Sequence, residues 1–237
     1  LKSQNWAGES IGILVVECFY PFLPGNVVNA NSYNYPVRFA LVEGGTPERL
    51  LYQADLSMVD AVIRGARQLE AEGVRAIVCA CGFFALFHRQ VRDAVNIPVM
   101  GSSLLQVPFI HQITGKRVGI VTADASCLKP VHFENTGISA EIPVAIEGLE
   151  TSEAFYRGIL ENIGALDDDA ICDAVVKAAQ RLTESHGDIG AILLECSDTP
   201  RYAHAVQAAT GLPVFDFTTM IDYVHNALTR LPFNGTT

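Results

Sequence analysis

Short apolar runs alternate along the chain with segments of helical periodicity. The runs at residues 11–16 (IGILVV), 76–80 (AIVCA), 117–122 (RVGIVT) and 189–194 (IGAILL) have the length and aliphatic content of strands that are buried on both faces. Residues 46–69 instead repeat apolar positions at helical spacing, with Pro47 in the first turn and Gly73 after the last. This alternation predicts an α/β fold in which helices cover parallel sheets.

The remaining predicted elements continue the alternation to the end of the chain. Further strands are predicted at residues 37–42, 97–100, 140–146 and 212–215, and further helices at 83–95, 104–113, from 126, and at 152–161, 167–186, 199–209 and 218–228. No low-complexity linker interrupts them. The turn at residues 114–116 (TGK) is therefore the predicted junction between two halves.

The two halves are related by an internal repeat. Shifting the chain by 115 residues superposes residues 76–81 (AIVCAC) on residues 191–196 (AILLEC), and seven of the 24 positions in this window are identical. The repeat predicts two similar α/β lobes with parallel sheets that face each other across a pseudo-twofold axis, with the active site in the cleft between them. We place the first lobe at residues 1–114, completed by the C-terminal segment 218–237, and the second at 115–217.

Charge excludes several classes of partner. The 237 residues carry 16 Lys and Arg against 26 Asp and Glu, a net charge of −10, and there is no run of basic residues. A surface with this balance repels nucleic-acid backbones and anionic lipid. No apolar run approaches the roughly 20 residues that cross a membrane, and the polar start is unlike a signal peptide. We expect a cytoplasmic protein that binds neither nucleic acid nor membranes.

The repeat also singles out two of the six cysteines. Cys81 and Cys196 superpose, and each directly follows a buried strand and precedes a helix. Unpaired N–H groups at a helix start favour a thiolate, and two thiols on opposite walls of a cleft suit removal of a proton from one face of a carbon and its return to the other. A chain of this size with a large core and no visible secretion signal has no need of disulfides. Only Cys79 and Cys81 are close in sequence and no His lies at zinc-finger spacing, so we expect no metal site. The four cysteines other than Cys81 and Cys196 are expected to be structural, although Cys18 ends a strand at the edge of the cleft.

At these positions the sequence resembles the aspartate/glutamate racemase superfamily, which includes hydantoin racemases, maleate isomerases and arylmalonate decarboxylases. The matching stretches are residues 80–84 (ACGFF), 97–108 (IPVMGSSLLQVP) and 195–203 (ECSDTPRYA). The resemblance implies a cofactor-independent enzyme with two flavodoxin-like lobes and catalytic Cys81 and Cys196 that forms a homodimer or higher homo-oligomer.

One departure from the family pattern concerns the substrate. The amino-acid racemases usually have Asn-Thr after the first cysteine, where this chain has Gly82 and Phe83. We expect Gly82 to allow close backbone approach to an anion, Phe83 to form an aromatic wall, and Ser197 and Asp198 to form a polar one. Free aspartate or glutamate is thereby disfavoured, which leaves a hydrophobic amino acid, a cyclic amide or another acid with an activated α carbon.

Three further strand-end residues are candidate substrate contacts. Thr122 is expected to bind the substrate or to cap a turn, Cys18 to touch the substrate or to pack, and Glu17 to act as a pocket acid or to be a solvated strand end. The predicted function is racemisation or epimerisation at the α carbon of a small carboxylate or amide by two-cysteine proton transfer. Alternatives are a hydantoin racemase, a maleate-type isomerase, an arylmalonate-type decarboxylase, or a non-catalytic binding protein of two lobes.

Overall fold

The computed structural model describes residues 7–162 and 164–233 and contains two parallel sheets. Its strands are β1 (Ile11–Val15), β2 (Val37–Leu41), β3 (Ala76–Cys79), β4 (Val99–Met100), β5 (Arg117–Thr122), β6 (Val144–Gly148), β7 (Ile189–Leu194) and β8 (Val214–Phe215). The strand orders are β2-β1-β3-β4 and β6-β5-β7-β8, so the two sheets have the same topology. The predicted α/β fold with two flavodoxin-like lobes is confirmed.

The registers of the two sheets reproduce the repeat. Ile77 pairs with Val99 between β3 and β4, and Ile192 pairs with Val214 between β7 and β8, so each pair lies 115 residues from its counterpart. The central strands β1, β3, β5 and β7 are almost entirely buried. Helices on both faces of each sheet explain why the sequence of these strands is aliphatic throughout.

The helices occupy most of the predicted positions. They are α1 (Val59–Glu72), α2 (His88–Ala94), α3 (Val107–Thr114), α4 (Pro130–Thr136), α5 (Glu153–Phe155), α6 (Asp168–Ser185), α7 (Ala203–Thr210) and α8 (Phe217–Leu228). Within the described residues, none of these helices is both long and apolar enough to cross a lipid bilayer.

The long helix predicted at residues 46–69 is interrupted. A π-helical turn at Glu48–Tyr52 is followed by Ala54 with a φ of 45°, and a short 3₁₀ turn at Leu56–Met58 leads into α1. The Asp55 side chain accepts a hydrogen bond from the backbone N–H of Ser57 and pairs with Arg49 at 2.8 Å. These bonds offer the backbone an alternative to the helix, which is why apolar spacing alone overestimates its length.

The last helix packs against the first sheet. Phe217, Met220 and Ile221 of α8 are buried in a cluster with Ile11 of β1 and Val78 of β3. If the C-terminal segment completes the first lobe, its helix has to pack in this way. Along the chain, the strands of the first sheet precede the turn at residues 114–116 and those of the second sheet follow it. The division into two domains stays a prediction. Residues 1–6 and 234–237, which it assigns to the first lobe, lie outside the described residues.

Candidate active site

Cys81 and Cys196 lie at the carboxyl ends of equivalent strands and line one cavity. Cys81 follows β3 and Cys196 follows β7, each the third strand along its sheet. The cavity measures about 50 Å³, which leaves room for only a compact ligand, and Cys18, Tyr20 and Asp198 also line it. Parallel sheets present their strand ends to ligands in this way. The topology thus brings the two repeated thiols to one site.

Each of the two sulfur atoms faces a backbone N–H group two residues further along the chain. The N–H of Phe83 is directed at Cys81, and the N–H of Asp198 is directed at Cys196. Phe83 and Asp198 are themselves equivalent in the repeat, being 115 residues apart. A hydrogen bond from a backbone N–H stabilises a thiolate more than a thiol. The repeat therefore supplies the same anion-stabilising contact twice.

Asp198 is the centre of a hydrogen-bond network that joins the two halves. The Tyr20 hydroxyl donates to both carboxylate oxygens, at 3.0 and 3.2 Å, and the Asn26 side-chain amide donates to Oδ1 at 2.5 Å. The Cys196 thiol donates to Oδ2 at 3.4 Å. Burial raises the pKa of Asp198, while these three donors lower it. The carboxyl group thereby links Cys196 to the segment that follows β1.

Glu195 brings a second carboxyl group to the site. Its side chain is fully buried, and Oε2 accepts a hydrogen bond of 2.8 Å from the Thr122 hydroxyl. Oε1 lies against Gly82, where an added Cβ would be only 1.6 Å away. Burial raises the pKa of Glu195 to about 7. Gly82 is thus required for the space it leaves to Glu195, and not only for the approach of a substrate anion.

The expectation that a position at the end of a strand favours the thiolate forms of Cys81 and Cys196 is wrong. Burial raises the pKa of Cys81 well above its usual value, and the adjacent Glu195 raises it further. Burial also raises the pKa of Cys196, and the next largest cause is Asp198. In both cases the backbone N–H contact is the weaker effect. A thiolate at either position therefore needs a neighbouring group that takes the proton.

The other candidate binding residues occupy different surroundings. Ser197 and Cys18 line the cavity, and burial raises the pKa of Cys18 to about 12. Thr122 is fully buried with its hydroxyl bonded to Glu195. Glu17 is half-buried, is not among the residues that line the cavity, and donates its backbone N–H to Gly45 at 2.9 Å.

The aromatic wall expected from Phe83 is not formed by its ring. The Phe83 side chain is 1% exposed and packs edge to face on His132, with 5.6 Å between the ring centroids. The sequence places Phe83 next to the site, but the 3₁₀ turn at Gly82–Phe87 directs the ring into the core. Tyr20 is the aromatic residue that lines the cavity.

Sequence reasoning did not single out Tyr20 or Glu195 as site residues. Tyr20 and Asn26 lie in the long polar segment after β1, and no periodicity marks which of its residues turn inward. Glu195 had a signal, because it is an acidic residue at the end of an otherwise aliphatic strand and superposes on Ala80 in the repeat. A charged residue at such a position is rarely fully buried without a role or a partner.

The site contains acids and thiols but no cationic side chain. Among the described residues that line the cavity, none is Lys, Arg or His. Over the described part of the chain, no group of three or more His, Cys, Asp or Glu side chains is arranged to hold a metal ion. The polar side chains that line the cavity are therefore the carboxyl group of Asp198, the phenol of Tyr20, the hydroxyl of Ser197 and the thiols of Cys18, Cys81 and Cys196, and the carboxyl group of Glu195 is buried behind them.

Comparison with known proteins gives a family and a set of relatives. Residues 39–221 match the family model described as Asp/Glu/Hydantoin racemase. A dimethylsulfoniopropionate lyase from Durusdinium sp. clade D is 30% identical over 94% of this chain and 76% of its own length. Dimethylsulfoniopropionate lyase 7 from Emiliania huxleyi is 29% identical over 95% of this chain and 69% of its own length.

Solved structures share the fold at lower identity. Allantoin racemase from Pseudomonas fluorescens superposes with a TM-score of 0.62 at 17% identity, over 95% of this chain and 93% of that protein. Unliganded arylmalonate decarboxylase superposes with a TM-score of 0.56 at 18% identity, over 96% of this chain and 97% of that protein. These two proteins carry out different reactions on one architecture, so the fold alone does not choose the reaction.

Proposed function

The chain belongs to the Asp/Glu/hydantoin racemase family, and on that premise we propose that it is a cofactor-independent lyase that splits dimethylsulfoniopropionate into dimethyl sulfide and acrylate. A cysteine thiolate removes a proton from the carbon next to the substrate carboxylate. The electron pair of the broken C–H bond forms the double bond of acrylate, and the bond between the β carbon and the sulfonium sulfur breaks. Dimethyl sulfide leaves as a neutral molecule.

The charge of the cavity is the observation that carries this proposal. A sulfonium substrate is cationic at one end, and the cavity offers the Asp198 carboxyl and the Tyr20 ring without any cationic side chain among its described lining residues. A carboxylate attracts the sulfonium by charge, and an aromatic face adds a cation–π contribution. Identity of 30% to a lyase acting on this compound, over 94% of the chain, supports the same assignment.

The position of Asp198 also suggests which thiol is the base. Asp198 accepts a hydrogen bond from Cys196, so a sulfonium held against Asp198 lies on the Cys196 side of the cavity. The α carbon, two bonds away from the sulfur, then faces the opposite wall and Cys81. In this arrangement Cys81 is the base, and Cys196 contacts the leaving group.

The proposal is tested by product analysis. Purified protein is incubated with dimethylsulfoniopropionate in deuterium oxide, dimethyl sulfide is measured in the headspace, and acrylate is followed by proton NMR. We expect equal amounts of the two products, at a rate proportional to enzyme concentration. Absence of both products under conditions where the protein remains folded would overturn the lyase assignment.

Racemisation is the second candidate, and the symmetry of the two thiols is the observation that favours it. Cys81 and Cys196 occupy equivalent strand ends and face equivalent backbone N–H groups. Two such acid/base groups suit proton removal on one face and return on the other. A panel of single enantiomers of amino acids and hydantoins in deuterium oxide tests this reaction, because a racemase brings their optical rotation to zero and incorporates deuterium at the α carbon. Release of carbon dioxide from an arylmalonate would indicate a decarboxylase instead.

A further inference from the structure

Glu195 carries a buried oxygen atom with no hydrogen-bond partner. Its side chain is 0% exposed, and within the described structure Oε1 accepts no hydrogen bond, although Oε2 is bonded to Thr122. Leaving a buried carboxyl oxygen unpaired is unfavourable, because the oxygen loses its hydrogen bonds to water and gains none in the folded protein. A group kept at that cost in the core of an enzyme is a candidate for a role in the reaction.

The surroundings of Glu195 fix where this oxygen points. The Glu195 backbone N–H donates to the Val121 carbonyl at 2.8 Å, and the Ser103 hydroxyl donates to the Glu195 carbonyl at 2.9 Å. Thr122 holds one side-chain oxygen, and the other is pressed against Gly82, the residue that follows Cys81. The carboxyl group is thereby held from three sides against the Cys81 segment of the other lobe.

The charges around Cys81 favour a single proton shared with Glu195. The titratable groups that act on Cys81 are Glu195, Cys18 and Asp198, together with Cys196 across the cavity, and all of them are neutral or negative. A thiolate and a carboxylate side by side without a cation repel each other strongly at low dielectric. Burial raises the pKa of Glu195 to about 7, which makes it a better proton acceptor than an ordinary carboxylate.

The two copies of the repeat differ at this point. Glu195 corresponds to Ala80, and Asp198 corresponds to Phe83, so the second lobe supplies both carboxyl groups of the site. Asp198 is hydrogen-bonded to Cys196 of its own lobe, whereas Glu195 reaches across to the Cys81 side. Asp198 thus contacts Cys196, and Glu195 is the charged group with the largest effect on Cys81.

We propose that Glu195 is the positioning residue that takes the proton from Cys81. The S–H bond of Cys81 breaks, the proton moves to Oε1 of Glu195, and the electron pair stays on sulfur as the thiolate. The pair exchanges one proton internally, so no further reactant is needed. The inference rests on the proposed function in one respect, which is that the proposed lyase reaction uses the Cys81 thiolate as its base.

Alkylation of Cys81 as a function of pH tests this transfer without a substrate. Iodoacetamide reacts with the thiolate, and peptide mass spectrometry measures the rate at each cysteine of the intact protein. In the wild type we expect the Cys81 rate to change by less than about twofold between about pH 7 and about pH 9, because the internal transfer does not depend on pH. In Glu195→Gln the rate should rise about tenfold per pH unit, since the thiol must then lose its proton to solvent.

An internal control accompanies the measurement. Half-buried Cys172 on α6 lies away from Glu195 and should show the ordinary rise with pH in the wild type and in Glu195→Gln. A tenfold rise per unit in the wild type overturns the proposal even if Glu195→Gln does not fold, and a flat profile in folded Glu195→Gln also overturns it. A flat wild-type profile without any lyase activity would overturn the proposed function alone.

Discussion

The Glu195 carboxyl group occupies the space in which a side chain at Gly82 would begin. A Cβ placed on Gly82 would lie 1.6 Å from Oε1 and 2.2 Å from Cδ of Glu195. Gly82 follows the first strand-end thiol, and Glu195 precedes the second. The two lobes therefore approach each other closely beside Cys81 and Cys196, and the geometry of one half of the site depends on a residue at a strand end in the other half.

Substitution of Gly82 by Ala should displace Glu195. Because a methyl group at this position overlaps the carboxyl, we expect the free energy of unfolding to fall by about 1–3 kcal/mol, and turnover to fall at least about tenfold, since a small misplacement near the reacting atoms is costly. Gly187→Ala is the matched control, because nothing lies within 4 Å of its added Cβ. Urea unfolding and initial rates of both variants measure the two effects. Equal behaviour of the two variants would contradict the close packing at Gly82.

The two cysteines should contribute unequally if the reaction is an elimination. Cys81→Ser removes the proposed base and should lower turnover by about 10²–10⁴-fold, whereas Cys196→Ser should retain more of the activity because its thiol only contacts the leaving group. Cys172→Ser on α6 serves as the control and should leave turnover unchanged. Equal and complete loss in the Cys81 and Cys196 variants would instead favour the symmetric two-base reaction of a racemase.

The sequence predicted the fold and the placement of Cys81 and Cys196 at equivalent strand ends because both follow from patterns along the chain. Aliphatic runs mark the strands, and the 115-residue repeat places Cys81 and Cys196 at equivalent strand ends. The partners of these thiols could not be predicted in the same way. Glu195 meets Gly82 and Thr122 from three different strand ends, and such contacts depend on how two sheets pack rather than on spacing along the chain.

The directions of individual side chains outside the helices and strands were also difficult to predict from the sequence. Phe83 lies next to Cys81, but its backbone N–H and not its ring faces the sulfur, because the tight turn after the strand directs the ring into the core. Asn26 and Tyr20 reach Asp198 from a segment without regular periodicity. In both cases the backbone path between regular elements decides the outcome, and propensities describe that path poorly.

Asp198 should determine the affinity for a cationic substrate. Replacing it by Asn removes the negative charge of the cavity beside Cys196, so we expect KM for dimethylsulfoniopropionate to rise at least about tenfold, the effect of losing roughly 1.4 kcal/mol of attraction. Isocaproate, in which a neutral CH group replaces the sulfonium sulfur, provides the control ligand. Its inhibition constant should change by less than about threefold, because it gains nothing from the charge. Equal weakening of both ligands would indicate a structural defect and contradict the charge-based recognition.

Glu195 should make the protein less stable as the pH rises towards neutrality. Its ordinary pKa is 4.5, and burial raises the pKa of the folded state to about 7. Between these values the folded state holds a proton that the unfolded state has released, so the free energy of unfolding falls as pH rises through this window and levels off above it. The loss is at most on the order of 3 kcal/mol.

Urea unfolding at about pH 5 and about pH 8 measures this dependence. Glu195→Gln lacks the ionisable group, so its stability relative to the wild type should be higher at the upper pH than at the lower one. Glu184→Gln on the exposed surface of α6 is the control and should show the same pH dependence as the wild type. The difference in the free energy of unfolding between Glu195→Gln and the wild type is the decisive quantity. If it does not change with pH, Glu195 does not bind its proton more tightly in the folded protein than in the unfolded chain.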